Sequence, residues 1–140
     1  MFDMEQGYDP EPGMRGWLSG TPGILSMAAV EPGVAMVAEA GVPALRAKSV
    51  ALTTFAVRLY DAWLEPLGLG LASPRDAERR GGHLTVTSPR ARELTAELIA
   101  CGVVPDFRRP DGIRLGLAPL TTRFVDVYDA MERLAALVQA

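Results

Sequence analysis

The chain has 140 residues, of which 49% are hydrophobic and 22% charged, with a formal net charge of −3. That length supports one hydrophobic core, so a single domain is expected, and the balanced composition excludes a disordered chain. The mild acidity lacks the basic field that phosphate-backbone binding needs, which excludes nucleic acid as a first partner.

The amino terminus, MFDMEQGYDPEP, has neither a basic start nor an apolar core and does not read as a signal peptide. Residues 1 to 23 hold Gly7, Pro10, Pro12, Gly13, Gly16, Gly20, Pro22 and Gly23, which predict an irregular arm. Phe2, Tyr8, Met14, Trp17 and Leu18 mark that arm as one that packs on something. From Ile24 to Ala40 apolar residues recur near helical spacing around Pro32, predicting a kinked helix or two short ones. Glu31, Pro32 and Glu39 interrupt this apolar stretch, so a membrane span is not expected. Gly41 ends the helix, and Pro43 opens a long one reaching about Glu65, with Leu45, Leu52, Phe55, Ala56, Leu59 and Trp63 on one stripe.

Leu67, Leu69 and Leu71 alternate like a short strand, followed by an arginine-rich loop through Arg80. In that region Arg75, Arg79, Arg80, Arg90 and Arg92 are interleaved with Asp76, Glu78 and Glu93, which reads as a solvated face. His83 to Thr87 alternate as a strand, and Ser88-Pro89 suit the start of a helix whose stripe is Leu94, Leu98 and Ile99. Val103-Val104 and then Ile113, Leu115 and Leu117 read as strands around the turn Arg109-Pro110-Asp111-Gly112. Thr122 suits the cap of a last helix bearing Phe124, Val127, Tyr128, Met131, Leu134 and Val138 on its apolar face. Helices alternating with three or four short strands predict an α/β (α+β) fold: a small two-layer sandwich with a mainly antiparallel sheet covered by helices. The organisation expected is an arm over residues 1–23 and the folded domain over residues 24–140.

Few residues are suited to chemistry. Cys101, His83 and Lys48 are each the single residue of their type. One cysteine excludes an intrachain disulfide and a multi-cysteine zinc site, no metal site is expected, and a reducing cytoplasm fits. Cys101 reads as a small core residue, His83 as structural or solvated, and Lys48 as an exposed helix residue whose hydrated ammonium is a weak nucleophile. Arg114 stands out. It shares the outer face of its strand with Gly116, where a planar fork has room to receive a carboxylate or phosphate through two parallel bonds; the alternative is pairing with a surface acid. In Ser19-Gly20-Thr21-Pro22, a hydroxyl stands just before a helix N-terminus, where an anion can dock; the alternative is that Thr21 or Ser19 caps the helix.

The segments Pro12-Gly13-Met14-Arg15, Leu18-Ser19-Gly20-Thr21-Pro22, Ala44-Leu45-Arg46-Ala47-Lys48-Ser49 and Ser73-Pro74-Arg75-Asp76 follow one another in the chain. Arg80-Gly81-Gly82-His83, Gly102-Val103-Val104-Pro105-Asp106-Phe107-Arg108, Ile113-Arg114 to Pro119-Leu120, and Arg123-Phe124-Val125-Asp126-Val127 continue the series. In this order they resemble the carboxy-terminal part of bacterial kynureninases, and the likeness covers nearly the whole chain. The resemblance implies a part of a fold-type I, pyridoxal 5'-phosphate-dependent homodimer that hydrolyses L-kynurenine or 3-hydroxykynurenine, yielding from L-kynurenine anthranilate and L-alanine. It assigns Arg114 to the substrate α-carboxylate and Thr21 to the cofactor phosphate, the latter reached from the neighbouring subunit. No residue is assigned to the catalytic step. The chain departs from the family in reading Thr21-Pro22-Gly23-Ile24 where Thr-Pro-Pro-Ile is usual, and in Thr121 where tyrosine is frequent. The family's Schiff-base lysine, the aspartate on the pyridine nitrogen and a Trp-Gly-His stretch all precede the matching region. Lys48 matches a different position, so the chain is expected to be inactive alone, with the missing large domain as a partner. Two other readings are a class V aminotransferase or cysteine desulfurase domain, which the Gly102–Arg108 run disfavours, and a non-catalytic domain that binds a partner through its arm.

Overall fold

The computed structural model describes residues 11–17 and 20–140. Phe2, Tyr8, Leu18 and Ser19, four residues of the expected arm, lie outside that range. The chain divides into two compact units, Met1–Glu39 and Ala40–Ala140. Among the described residues of the first, a short 3-10 helix spans Gly13–Trp17, with Met14 and Trp17 exposed. Helix α1 spans Ile24–Ala40 as one helix with Pro32 inside it, and none of its residues is buried. Among the described residues no single helix is long and apolar enough to cross a membrane.

Near the start of the second unit Gly41, at φ 75°, takes a backbone conformation that side-chain-bearing residues rarely adopt, and Pro43 lies in the first turn of α2, Val42–Leu59. Its apolar stripe is buried as predicted at Leu52, Ala56 and Leu59, while Ser49, Thr53 and Val57 are buried beside it. The helix loosens into a π-helical turn at Tyr60–Leu64 and ends in a 3-10 turn at Glu65–Leu67. The first strand is consequently shorter than the leucine alternation suggested: β1 is Gly70–Leu71. Strand β2 (His83–Thr87), α3 (Ala91–Ala100), β3 (Asp106–Arg108), β4 (Gly112–Gly116) and α4 (Phe124–Gln139) complete the unit.

The four strands form one antiparallel sheet in the order β1-β2-β4-β3. Leu84 and Val86 of β2 and Ile113 and Leu115 of β4 point to one face, which α2 and α3 cover, with α4 packed on both helices. Leu52, Leu84, Leu98, Ile113, Met131 and Leu134 are fully enclosed between these layers. This is the expected small α+β sandwich, its helices covering one face of an antiparallel sheet.

The helix ends differ from the expected caps for identifiable reasons. The Ser88 hydroxyl accepts from the Arg90 amide in a turn that precedes α3, so the helix starts two residues later than Pro89. At the other end Gly102, at φ 84°, lets its amide reach the Ile99 carbonyl and that of Val103 reach Leu98. These two bonds close α3 as a Schellman motif, which takes Val103 out of any strand and exposes Cys101 at the cap. Cys101 is therefore not a core residue, and Ile99 is half exposed rather than buried. In α4 the cap is Arg123, not Thr122: the Asp126 carboxylate accepts from the Arg123 amide at 2.8 Å and grips its guanidinium.

Candidate functional site

The uncovered face of the sheet carries His83, Thr85 and Thr87 from β2, Arg114 and Gly116 from β4, and Asp106 and Arg108 from the edge strand β3. Alternation places them there, because each residue next along the strand to a core-facing Leu, Val, Ile or Phe must point the other way. Gly112 makes the hairpin between β3 and β4 possible. A Cβ at that position would stand 3.1 Å from the Arg108 carbonyl oxygen and 3.2 Å from Thr85, closer than ordinary packing allows.

Arg114 lies at the centre of this face, half-buried, with Thr85 opposite it on one side and Asp106 on the other. Its Nε donates to Asp106 Oδ1 at 2.9 Å and its Nη2 to Oδ2 at 2.7 Å, a side-on bidentate ion pair. The alternative of a surface acid as partner is thus realised, and the acid is Asp106. Hydrogen bonding from Arg114, with the nearby charge of Arg108, holds the Asp106 carboxyl below the usual aspartate range. Two of the five guanidinium N–H groups are used in this way, and the described residues give Nη1 no partner. Beside it the face is open, since a Cβ built on Gly116 meets nothing within 4 Å. A cavity of about 360 Å³ lies at the end of β4, lined by Leu117, Val127, Asp126, Asp129 and Arg133 among others, but not by Arg114. Arg114 is therefore one wall of an open face rather than the floor of a closed pocket.

Thr21 belongs to the first unit, Arg114 to the second. Thr21 is exposed just ahead of α1, and its hydroxyl makes no hydrogen bond with the described residues. It does not cap the helix; the Gly23 carbonyl instead accepts from the Met27 amide at 3.0 Å and the Ser26 hydroxyl at 2.9 Å. A Cβ on Gly23 would fall 2.6 Å from Ser26 Oγ, so glycine here lets Ser26 fold back. The α1 N-terminus still presents its first amides beside Thr21. An apolar groove of about 810 Å³ runs from Thr21 and Pro22 along α1 past Ile24, Met27, Val30 and Val34.

The remaining candidates carry less. His83 is exposed at the start of β2 opposite Gly116, without a carboxylate partner among the described residues. Lys48 is half-buried rather than on the exposed side of α2; the Asp126 carboxyl of α4 is held below the usual aspartate range chiefly by hydrogen bonds from Arg123, with the charge of Lys48 the smallest contribution. Arg80 departs furthest from expectation. It is 4% exposed, and its guanidinium donates to the carbonyls of Pro74 at 2.9 Å and Arg75 at 2.5 Å and to the Thr54 hydroxyl at 3.0 Å. Arg46 holds the same loop from outside through the carbonyls of Arg80 and Ala77. Arg80 is thus the internal brace of the loop and not part of a solvated basic face. No group of three or more potential metal ligands occurs among the described residues.

The second unit is an α+β domain with helices on one sheet face and, on the other, the Arg114 and Arg108 guanidinium groups gathered about the Asp106 carboxylate. The family model for the kynureninase C-terminal domain matches residues 45–134. The chain belongs to that family. It is 41% identical over 133 residues to a kynureninase of Burkholderia mallei (strain SAVP1), covering 95% of this chain and 32% of that protein. The same figures hold for a kynureninase of Burkholderia pseudomallei (strain K96243). A kynureninase of Deinococcus radiodurans is 36% identical over 137 residues, which is 98% of this chain and 33% of the relative. The chain thus spans about a third of the length of the curated relatives it matches. Members of the family use pyridoxal 5'-phosphate, and the residues described here fit one contact to it: the unpaired Thr21 hydroxyl at a helix N-terminus is suited to a phosphate.

Proposed function

We propose that this chain supplies the carboxylate-binding wall of a kynureninase-type hydrolase converting L-kynurenine and water to anthranilate and L-alanine, with 3-hydroxykynurenine as an alternative substrate. The observation that carries the proposal is the Arg114 fork beside Gly116, in a chain of the kynureninase C-terminal domain family. The α-carboxylate of the substrate would accept from Nη1 and the outer hydrogen of Nη2, which fixes the amino acid end and so orients the side chain to be cleaved. Thr21 would donate its hydroxyl to the cofactor phosphate, from the neighbouring subunit of a homodimer. Bound pyridoxal 5'-phosphate supplies the electron sink for cleaving the carbon–carbon bond.

With Lys48 committed to α2, the lysine that carries the cofactor has to come from another polypeptide segment, and the 140 residues alone are expected not to turn over. The same reading gives α1 a role. A helix as apolar as α1, whose charged residues are Glu31 and Glu39 alone, is ordinarily packed on something, and its exposed apolar residues within the first unit suit a partner that covers it, such as the large domain of the enzyme. The single cysteine and the family's redox-neutral chemistry suit a cytoplasmic setting.

The test is a chimaera in which these residues replace the C-terminal third of the Burkholderia mallei relative. Hydrolysis of L-kynurenine is expected, and Arg114→Ala should lower kcat/KM by about 100-fold, the effect of losing a two-bond charged contact. An Arg114→Ala chimaera within about threefold of its parent would overturn the assignment.

A further inference from the structure

We propose that Asp106 is the positioning residue for Arg114, and that Arg108 balances its charge, so that the substrate-facing fork stands preset before any carboxylate arrives. This rests on the assignment of Arg114 above and deepens it. The hairpin register sets Asp106 of β3 directly across from Arg114 of β4, with both side chains on the uncovered face. Asp106 takes the side edge of the guanidinium, Nε at 2.9 Å and Nη2 at 2.7 Å. The group is planar and its two edges diverge, so a carboxylate fixed on the side edge determines where the end edge of Nη1 and Nη2 points. An arginine tethered in this way has less side-chain freedom to lose when substrate binds.

A carboxylate bound so closely would cancel the charge a substrate needs to meet. Arg108 prevents that. Its Nη2 lies 2.7 Å from the same Asp106 Oδ2 that receives Arg114, so the cluster is two cations about one anion and remains positive. The edge strand that carries both groups is itself held down, because Phe107, between them, turns to the helix side and lies under the Arg92 guanidinium at 4.9 Å. Asp106 and Arg108 therefore touch no substrate in this scheme; one aims the fork and the other keeps its field positive.

Two measurements test this. In the 140-residue chain, the Arg114 Nε–H resonance, assigned by its loss in Arg114→Lys, is expected to exchange slowly with water, and Asp106→Asn should speed that exchange by about tenfold. In the chimaera, Asp106→Asn should raise KM for L-kynurenine by about tenfold while kcat stays within about twofold, and Asp106→Glu should lie nearer the parent than Asp106→Asn. Arg108→Ala should raise KM by about threefold without altering the Arg114 resonance. Unchanged exchange and unchanged KM in Asp106→Asn overturn the inference. If Arg114→Ala raises KM and Asp106→Asn does not, the positioning role falls and the carboxylate assignment stands; if Arg114→Ala has no effect, both fall.

Discussion

Replacing Arg80 by alanine is a strong test of how the loop between β1 and β2 is held. The guanidinium is enclosed and makes three hydrogen bonds, to Pro74, Arg75 and Thr54, while its Nε is buried without an acceptor. Each bond from a charged donor contributes about 1.5 to 2 kcal/mol net in such a setting, or about 5 kcal/mol together. Against this stands the cost of keeping a cation out of water with no acid paired to it, about 2 to 3 kcal/mol after the loop carbonyls share the charge. Arg80→Ala should therefore destabilise the domain by about 2 to 3 kcal/mol, a fall in Tm of about 6 to 9 °C for a chain of this size. Arg79→Ala is the control: its side chain is exposed, with no partner among the described residues, and its loss should cost under about 0.5 kcal/mol. Urea unfolding followed by Trp63 fluorescence measures both. Equal stability of the two variants would refute the view that Arg80 braces the loop.

Leu98, fully buried between α3 and the sheet, should cost about 2 to 5 kcal/mol on truncation to alanine, read from the urea midpoint, whereas Ile99→Ala one residue on should cost under about 1 kcal/mol. Asp106, Glu93 and Asp126 are each held below their usual carboxyl range by an arginine, through side-chain hydrogen bonds above all. Groups with depressed folded-state values contribute stability above the unfolded carboxyl range and lose it as pH falls through the folded one; thermal melts should thus be flat near neutrality and drop below about pH 4. Val34→Glu, in the exposed apolar face of α1, should reduce self-association of the isolated chain in light scattering; unaltered scattering from an associating parent would remove α1 from the contact.

The parts of the fold legible in the sequence are those where one face is buried. The stripe of α2, the alternation of Leu84 and Val86, and that of Ile113 and Leu115 each follow from a period that burial imposes. Val103-Val104 misled because an apolar pair following a helix serves its cap equally well, and only the αL geometry of Gly102 decides between cap and strand. Arg80 misled because composition cannot reveal backbone carbonyls that converge on one point. Arg114 was legible as a face residue, but its partner was not: Asp106 lies in a run without periodicity. The turn at Arg109–Gly112 held the missing signal, since counting outward from the Arg108 and Gly112 pair leads to Asp106 opposite Arg114.

The most direct measurement pairs the arginine with the group it is held to bind. Dissociation constants of the chimaera for L-kynurenine and for kynuramine, the same molecule without its carboxylate, should differ by about 100-fold when Arg114 is present and by less than about threefold in Arg114→Ala. An equal preference for L-kynurenine in both proteins would contradict the account, because the carboxylate would then be recognised by some other group.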